Sequence, residues 1–122
     1  MKRKNLAASF KAAFQGITNT LLEEPAFKYM VVAALLVGAS AIIFDMSRTE
    51  RAILLILAFA VLALELINTL FERVLDIMKP EEDERVRRIK DLMSGLVLLA
   101  SLGAATIGAV ILLPYINEIF RK

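Results

Sequence analysis

Glu65-Leu-Ile-Asn68-Thr69-Leu-Phe-Glu72-Arg-Val-Leu-Asp76 sets five polar side chains at helical spacing among residues that, Arg73 apart, are apolar. From Glu65 through Asn68 and Glu72 to Asp76 the spacings are 3, 4 and 4. At ~100° per residue of α-helix, these four and Thr69 fall within a sector of roughly 100°. The resulting stripe is about 16 Å long. Three carboxylates on one seam repel one another unless a cation or a proton intervenes. Lys90 offers one positive charge and a divalent metal two, and hard Mg²⁺ prefers carboxylate and phosphate oxygens. The plainer alternative, hydrogen bonding to neighbouring helices, leaves that repulsion unanswered.

Composition narrows the chemistry further. The chain has no Cys and no His, which removes thiol nucleophiles, disulfides, zinc fingers and the commonest general base. Two further polar groups stand near the stripe's Asp76 end: Glu23-Glu24, directly before Pro25, and Lys90-Asp91, with Ser94 one turn on. Glu24 and Asp91 also suit plain helix starts, where an acid meets the positive end of the dipole. Taken together, these acids, one Lys and an amide suit the phosphates of a nucleotide with Mg²⁺, with Glu65 placed to accept a proton from a hydroxyl. No Walker motif is present: Gly103 and Gly108 have the separation but are followed by Ala-Val, and they suit helix packing.

The elements that must position these groups are long and apolar. The 122 residues allow one domain, and 58% of them are hydrophobic, above the roughly 45–50% of soluble domains. Charges leave three gaps: Tyr29 to Phe44, Ala52 to Leu64 (extended past Glu65), and the 25 residues from Leu92 to Ile116. A bilayer span needs about 20 mainly apolar residues. The third gap meets that outright, the first with the snorkelling stem of Lys28, and the second if the Glu65 stripe enters the membrane region. A soluble bundle would need polar faces that the third run lacks. The first run starts too late for a signal peptide. Ahead of it, Leu6, Phe10, Phe14, Ile17 and Leu21 form one helical stripe, with Lys2, Arg3, Lys4 and Lys11 largely off it, the pattern of a helix lying in a membrane interface. The expectation is an all-α membrane protein of one domain, 1–122, with a surface helix at about 5–23 and spans at about 26–46, 49–78 and 86–116. Eleven Lys and Arg before the first span and in the 73–91 region face four elsewhere (Arg48, Arg51, Arg121, Lys122). That bias puts the N-terminus in the cytoplasm and the C-terminus outside.

At these residues the chain resembles the small bacterial membrane lipid kinases, the prokaryotic diacylglycerol kinase and undecaprenol kinase family. The shared pattern E-x-x-N-[ST]-x-x-E-x-x-x-D stands here as Glu65, Asn68, Thr69, Glu72 and Asp76, followed by Lys90-Asp91. Glu24-Pro-Ala-Phe27-Lys28 and Ser9-Phe10 through Ile17 also resemble family segments, so the likeness covers essentially the whole chain. Ala12, Asn5 and the loop Pro80-Glu81-Glu82-Asp83 depart from it.

The resemblance implies a homotrimer in the bacterial inner membrane, with active sites between protomers at the cytoplasmic interface. It makes Glu65 the catalytic base, supported by Asn68, and Glu24 and Glu72 the carboxylates that hold Mg²⁺ on ATP. Asp76, Lys90 and Asp91 would position the nucleotide, and the loop Glu81-Glu82-Asp83 would lie over it. Ser94 and Phe27 would meet the lipid. The implied partners are ATP, a lipid alcohol (diacylglycerol, with undecaprenol as alternative) and the bilayer, without nucleic acid. A non-enzymatic membrane subunit, or a small transporter with a carboxylate-lined path, is the rival of another class.

Overall fold

The computed structural model describes residues 5–122. Lys2, Arg3 and Lys4, which contribute to the charge bias, lie outside the described residues. Four helices follow one another: α1 (Leu6–Glu23), α2 (Pro25–Ile43), α3 (Arg48–Met78) and α4 (Glu84–Arg121).

Local chemistry sets each boundary. Asn5 starts α1 by accepting a 2.8 Å hydrogen bond from the Ala8 N–H. Glu24 alone joins α1 to α2. Its extended backbone (φ −111°, ψ 107°) breaks the helix, and Pro25 restarts it at a first-turn position where the missing N–H costs nothing. Ser47-Arg-Thr-Glu50 has the spacing of a capping box, and the Ser47 hydroxyl accepts from the Glu50 N–H at 3.1 Å. Asp83 does the same for α4, accepting from the Arg85 N–H at 2.8 Å.

Helix α4 continues five residues beyond the expected end at Ile116, and it passes through Pro114. A proline there removes one backbone donor, and the turn otherwise keeps its helical course.

Helices α2, α3 and α4 are each long and apolar enough to cross a membrane. Their large side chains face outward: Leu36, Ile42, Phe59, Leu99 and Val110 are all exposed. Such a surface is stable only against lipid or another apolar partner, and a helix is the form that satisfies its own backbone there. Helix α3 is the central element, packing against α2 on one side and α4 on the other, while α1 touches α2.

At the end of the bundle remote from Glu24, Ala41, Met46 and Leu54 form a small buried cluster. The Phe44 and Tyr115 rings stack over it with centroids 5.7 Å apart. Arg51 caps the end of α2, its Nε donating to the Ala41 carbonyl at 2.9 Å and a terminal nitrogen to that of Phe44 at 3.3 Å. The Tyr115 hydroxyl donates to the Glu50 carboxylate and so ties α4 to α3.

Leu54 is the most enclosed residue, 1% exposed. Because lipid is as apolar as the packed interior, its truncation forfeits packing more than transfer energy. Leu54→Ala is expected to cost on the order of 2 kcal/mol in reversible unfolding from mixed micelles. Leu55→Ala, at a position 43% exposed, is the control and is expected to stay near zero.

Candidate functional site

The polar stripe of α3 grades from buried to open. Glu65, Asn68 and Thr69 are buried, with Glu65 only 6% exposed; Glu72 is half-buried and Asp76 exposed. This gradient follows the helix axis toward the end of the bundle that also carries Glu24. Glu72 lies two turns from Glu65 on the same face of α3, and the 3.3 Å contact of Arg73 with Glu24 brings Glu24 to that turn. Three carboxylates from two helices therefore share one region, brought together by the α2–α3 packing and by the break at Glu24.

Positive charge is distributed unevenly over this set. Arg73 reaches back from α3 to Glu23 at 2.9 Å and to Glu24 at 3.3 Å. Lys90, on α4, holds Asp76 at 2.5 Å. Glu65 and Glu72 have no ion-pair partner among the described residues. Asn68 Oδ1, beside them on the same face, is buried and accepts no hydrogen bond. Buried acceptors are nearly always satisfied, so Asn68 Oδ1 keeps capacity for a partner that the described residues do not supply, as Ser101 Oγ does on α4.

No three acidic side chains converge into a closed cation cage among the described residues. That suits Mg²⁺, which is usually held by one or two carboxylates and completes its shell with water and substrate phosphate. Glu24 and Glu72 are the carboxylates that flank Glu65 and would be the ones to hold such an ion.

A cavity of 560 Å³ opens beside the stripe's outer end, walled by the last turn of α3, the 79–83 loop and the first turns of α4. Asp76, Glu81, Glu82, Asp83 and Lys90 all line it. The other expected residues stand apart. Asp91 is exposed and meets Arg87 at 3.8 Å without lining the cavity, because it follows Lys90 by one residue and so faces another side of α4. Ser94 is exposed on α4. Phe27 is only 3% exposed, so it belongs to the helix packing and does not face out of the protomer.

Ion pairs fix the loop itself. Lys79 meets Glu81 at 2.9 Å, and Arg85 meets Asp83 at 2.9 Å. The Arg85 guanidinium and backbone N–H hold the Asp83 carboxyl far below the usual aspartate range, and the Lys79 ammonium lowers that of Glu81. Lys79 and Arg73 are polar features of this end that the helical periodicity does not single out, since their partners lie in the loop or on another helix, whereas Arg87 pairs within α4 with Glu84 and Asp91.

The model of the family described as prokaryotic diacylglycerol kinase matches residues 11–112. A protein named diacylglycerol kinase from Synechocystis sp. is 30% identical over 111 residues, which is 90% of this chain and 63% of that protein. The chain thus spans less than two thirds of that relative's length. A protein named undecaprenol kinase from Bacillus subtilis is 29% identical over 106 residues, 87% of this chain and 86% of that one.

The Asp83 contacts carry a pH signature. With its folded-state value depressed, their contribution is fully present above the ordinary aspartate value of about 3.9 and is lost only as pH falls through the lower, folded one. A carbon-13 titration of side-chain carboxyls is expected to show Asp83 ionised well below pH ~3.9, and a midpoint at that value would contradict the pairing. Asp83→Ala is expected to speed amide exchange at Arg85 and Val86, the first turn of α4.

Proposed function

The chain belongs to the prokaryotic diacylglycerol kinase family, and from that membership we propose that it transfers the γ-phosphoryl group of ATP to the hydroxyl of a membrane lipid. The acceptor we favour is diacylglycerol, giving phosphatidic acid. The observation that carries this reading is the pair of acids without ion partners among the described residues, Glu65 and Glu72, beside the unpartnered Asn68 Oδ1 on a helix with a long apolar run.

Glu65 is the general base in this mechanism. As the lipid oxygen forms its bond to the γ-phosphorus, the bond from that phosphorus to the β,γ-bridging oxygen breaks and ADP leaves. The Glu65 carboxylate takes the hydroxyl proton. Its burial keeps water from competing for the phosphoryl group. Asn68 supports the base from the next turn. Glu24 and Glu72 hold Mg²⁺, which when bound neutralises phosphate charge. Asp76, Lys90 and Asp91 position the nucleotide, and Glu81, Glu82 and Asp83 close over it. Ser94 borders the lipid side from its exposed position, and Phe27 shapes it from within the packing.

The same reading orients the protein. The Glu24 and Lys90 end faces the cytoplasm, where ATP is, so the N-terminus is inside and the C-terminus outside. Helix α1 lies in the interface, with the exposed Leu6, Phe10, Phe14 and Ile17 turned to lipid. A homotrimer is supported by an apolar groove of 790 Å³ between α2 and α4, where Ala33, Ala34, Ala104, Ala105 and Gly108 permit close helix approach.

The Bacillus relative gives the undecaprenol alternative its specific support. Both acceptors are membrane alcohols, so one assay separates them: purified protein with labelled ATP, Mg²⁺ and each lipid in turn. Label is expected in diacylglycerol; label in undecaprenol alone would reassign the substrate, and label in neither would favour a non-enzymatic subunit. Glu65→Gln keeps the shape and removes the base, and it is expected to lower kcat at least about 100-fold. Near wild-type turnover would remove Glu65 from that role.

A further inference from the structure

Acids dominate the rim of the 560 Å³ cavity, yet a nucleotide brings a chain of negative phosphates. An acidic loop can close over a polyanion only if positive charge is built into the same wall. Lys90 supplies one such charge, and the resemblance of the sequence points to that residue alone. Two more cations line the cavity: Arg87, engaged by Glu84 at 2.5 Å, and Lys79, engaged by Glu81 at 2.9 Å.

Lys79 has the more informative position. It ends α3, three residues beyond Asp76, so it stands about one turn further from Glu65 than the Asp76–Lys90 pair does. Along one wall the order is therefore Glu65, Glu72, Asp76 with Lys90, and then Lys79. The Lys79 Cα stands about 10 Å along the axis beyond that of Glu72, so a triphosphate whose γ-group lay at Glu72 and which passed Lys90 would bring its nucleoside end within reach of the Lys79 side chain.

On the kinase reading given above, we propose that Lys79 is a further nucleotide-binding residue, donating to the phosphate chain at the end nearer the nucleoside. Its present partner does not prevent this. Glu81 is exposed and Lys79 half-exposed, and an ion pair this open to water is weak. A hydrogen bond from an ammonium to phosphate is charge-assisted on both sides and stronger. Asp83, the second acid near Lys79 at 3.8 Å, is already satisfied by Arg85. Nucleotide arrival thus exchanges a weak contact with Glu81 for a strong one. In the empty site Glu81 acts as a placeholder for phosphate.

The test is calorimetric binding of ATP with Mg²⁺ to the full chain in detergent, paired with steady-state KM values. Lys79→Gln is expected to weaken ATP about tenfold and leave the KM for the lipid unchanged. Adenosine, which lacks the phosphate chain, is expected to bind Lys79→Gln and wild type alike. A residue that merely braced the loop would weaken adenosine and ATP together. That result, or an unchanged ATP affinity in Lys79→Gln, overturns the proposal. If the wild-type chain binds ATP and phosphorylates lipid while Lys79→Gln matches it, only the role of Lys79 falls. A wild-type chain that binds no ATP brings down the kinase reading and this role together.

Discussion

Negative charge set into an apolar helix is the constraint that organises this protein. Along α3 the polar residues of the stripe occupy one face, buried at Glu65, Asn68 and Thr69, half-buried at Glu72 and exposed at Asp76. A carboxylate in such a setting is costly unless something compensates it, and such residues in spanning helices generally mark function. The compensation present is partial. Arg73 and Lys90 engage the outer acids, Glu24 and Asp76, while the inner pair, Glu65 and Glu72, has none among the described residues. The charge imbalance therefore increases inward, toward Glu65.

The other helices answer to that seam. α3 sits between α2 and α4, so residues from both reach its polar end. The single-residue break at Glu24 delivers a carboxylate from the α2 side, with Pro25 fixing where the next helix begins. The α3–α4 hairpin delivers Lys90 and the cavity from the other. At the remote end, Arg51 and Tyr115 fasten all three long helices together through polar contacts that lipid cannot offer. A carboxylate-lined transport path would carry its acids past the middle of the bundle. Here they stop at Glu65 and open at one end, an arrangement that suits a site fed by a soluble, charged cosubstrate.

Much of this was legible in the sequence because it depends on periodicity. Spacings of 3 and 4 place Glu65, Asn68, Thr69, Glu72 and Asp76 on one face in any straight helix, and long charge-free runs describe spans whatever they pack against. Pairings that depend on how neighbouring helices are rotated were not legible. The contacts of Arg73 with Glu23 and of Tyr115 with Glu50 bridge 50 and 65 residues of sequence, and no local pattern encodes them. Phe27 looked available to lipid, yet the packing encloses it. Asp91 adjoins Lys90 in sequence, but successive residues on a helix point about 100° apart, and only one of the two lines the cavity. The apolar run stops at Ile116, yet α4 continues to Arg121 and keeps its helical course through Pro114, as spanning helices often allow.

The most direct measurement is the thermal midpoint of Glu72→Gln against wild type, each with and without ATP and Mg²⁺. If repulsion along the seam is real and a metal–nucleotide complex relieves it, removing one charge raises the midpoint of the empty protein. The same change abolishes the further rise that ATP and Mg²⁺ give to wild type. A midpoint lowered by the substitution, or an undiminished response to ATP and Mg²⁺, would contradict the account.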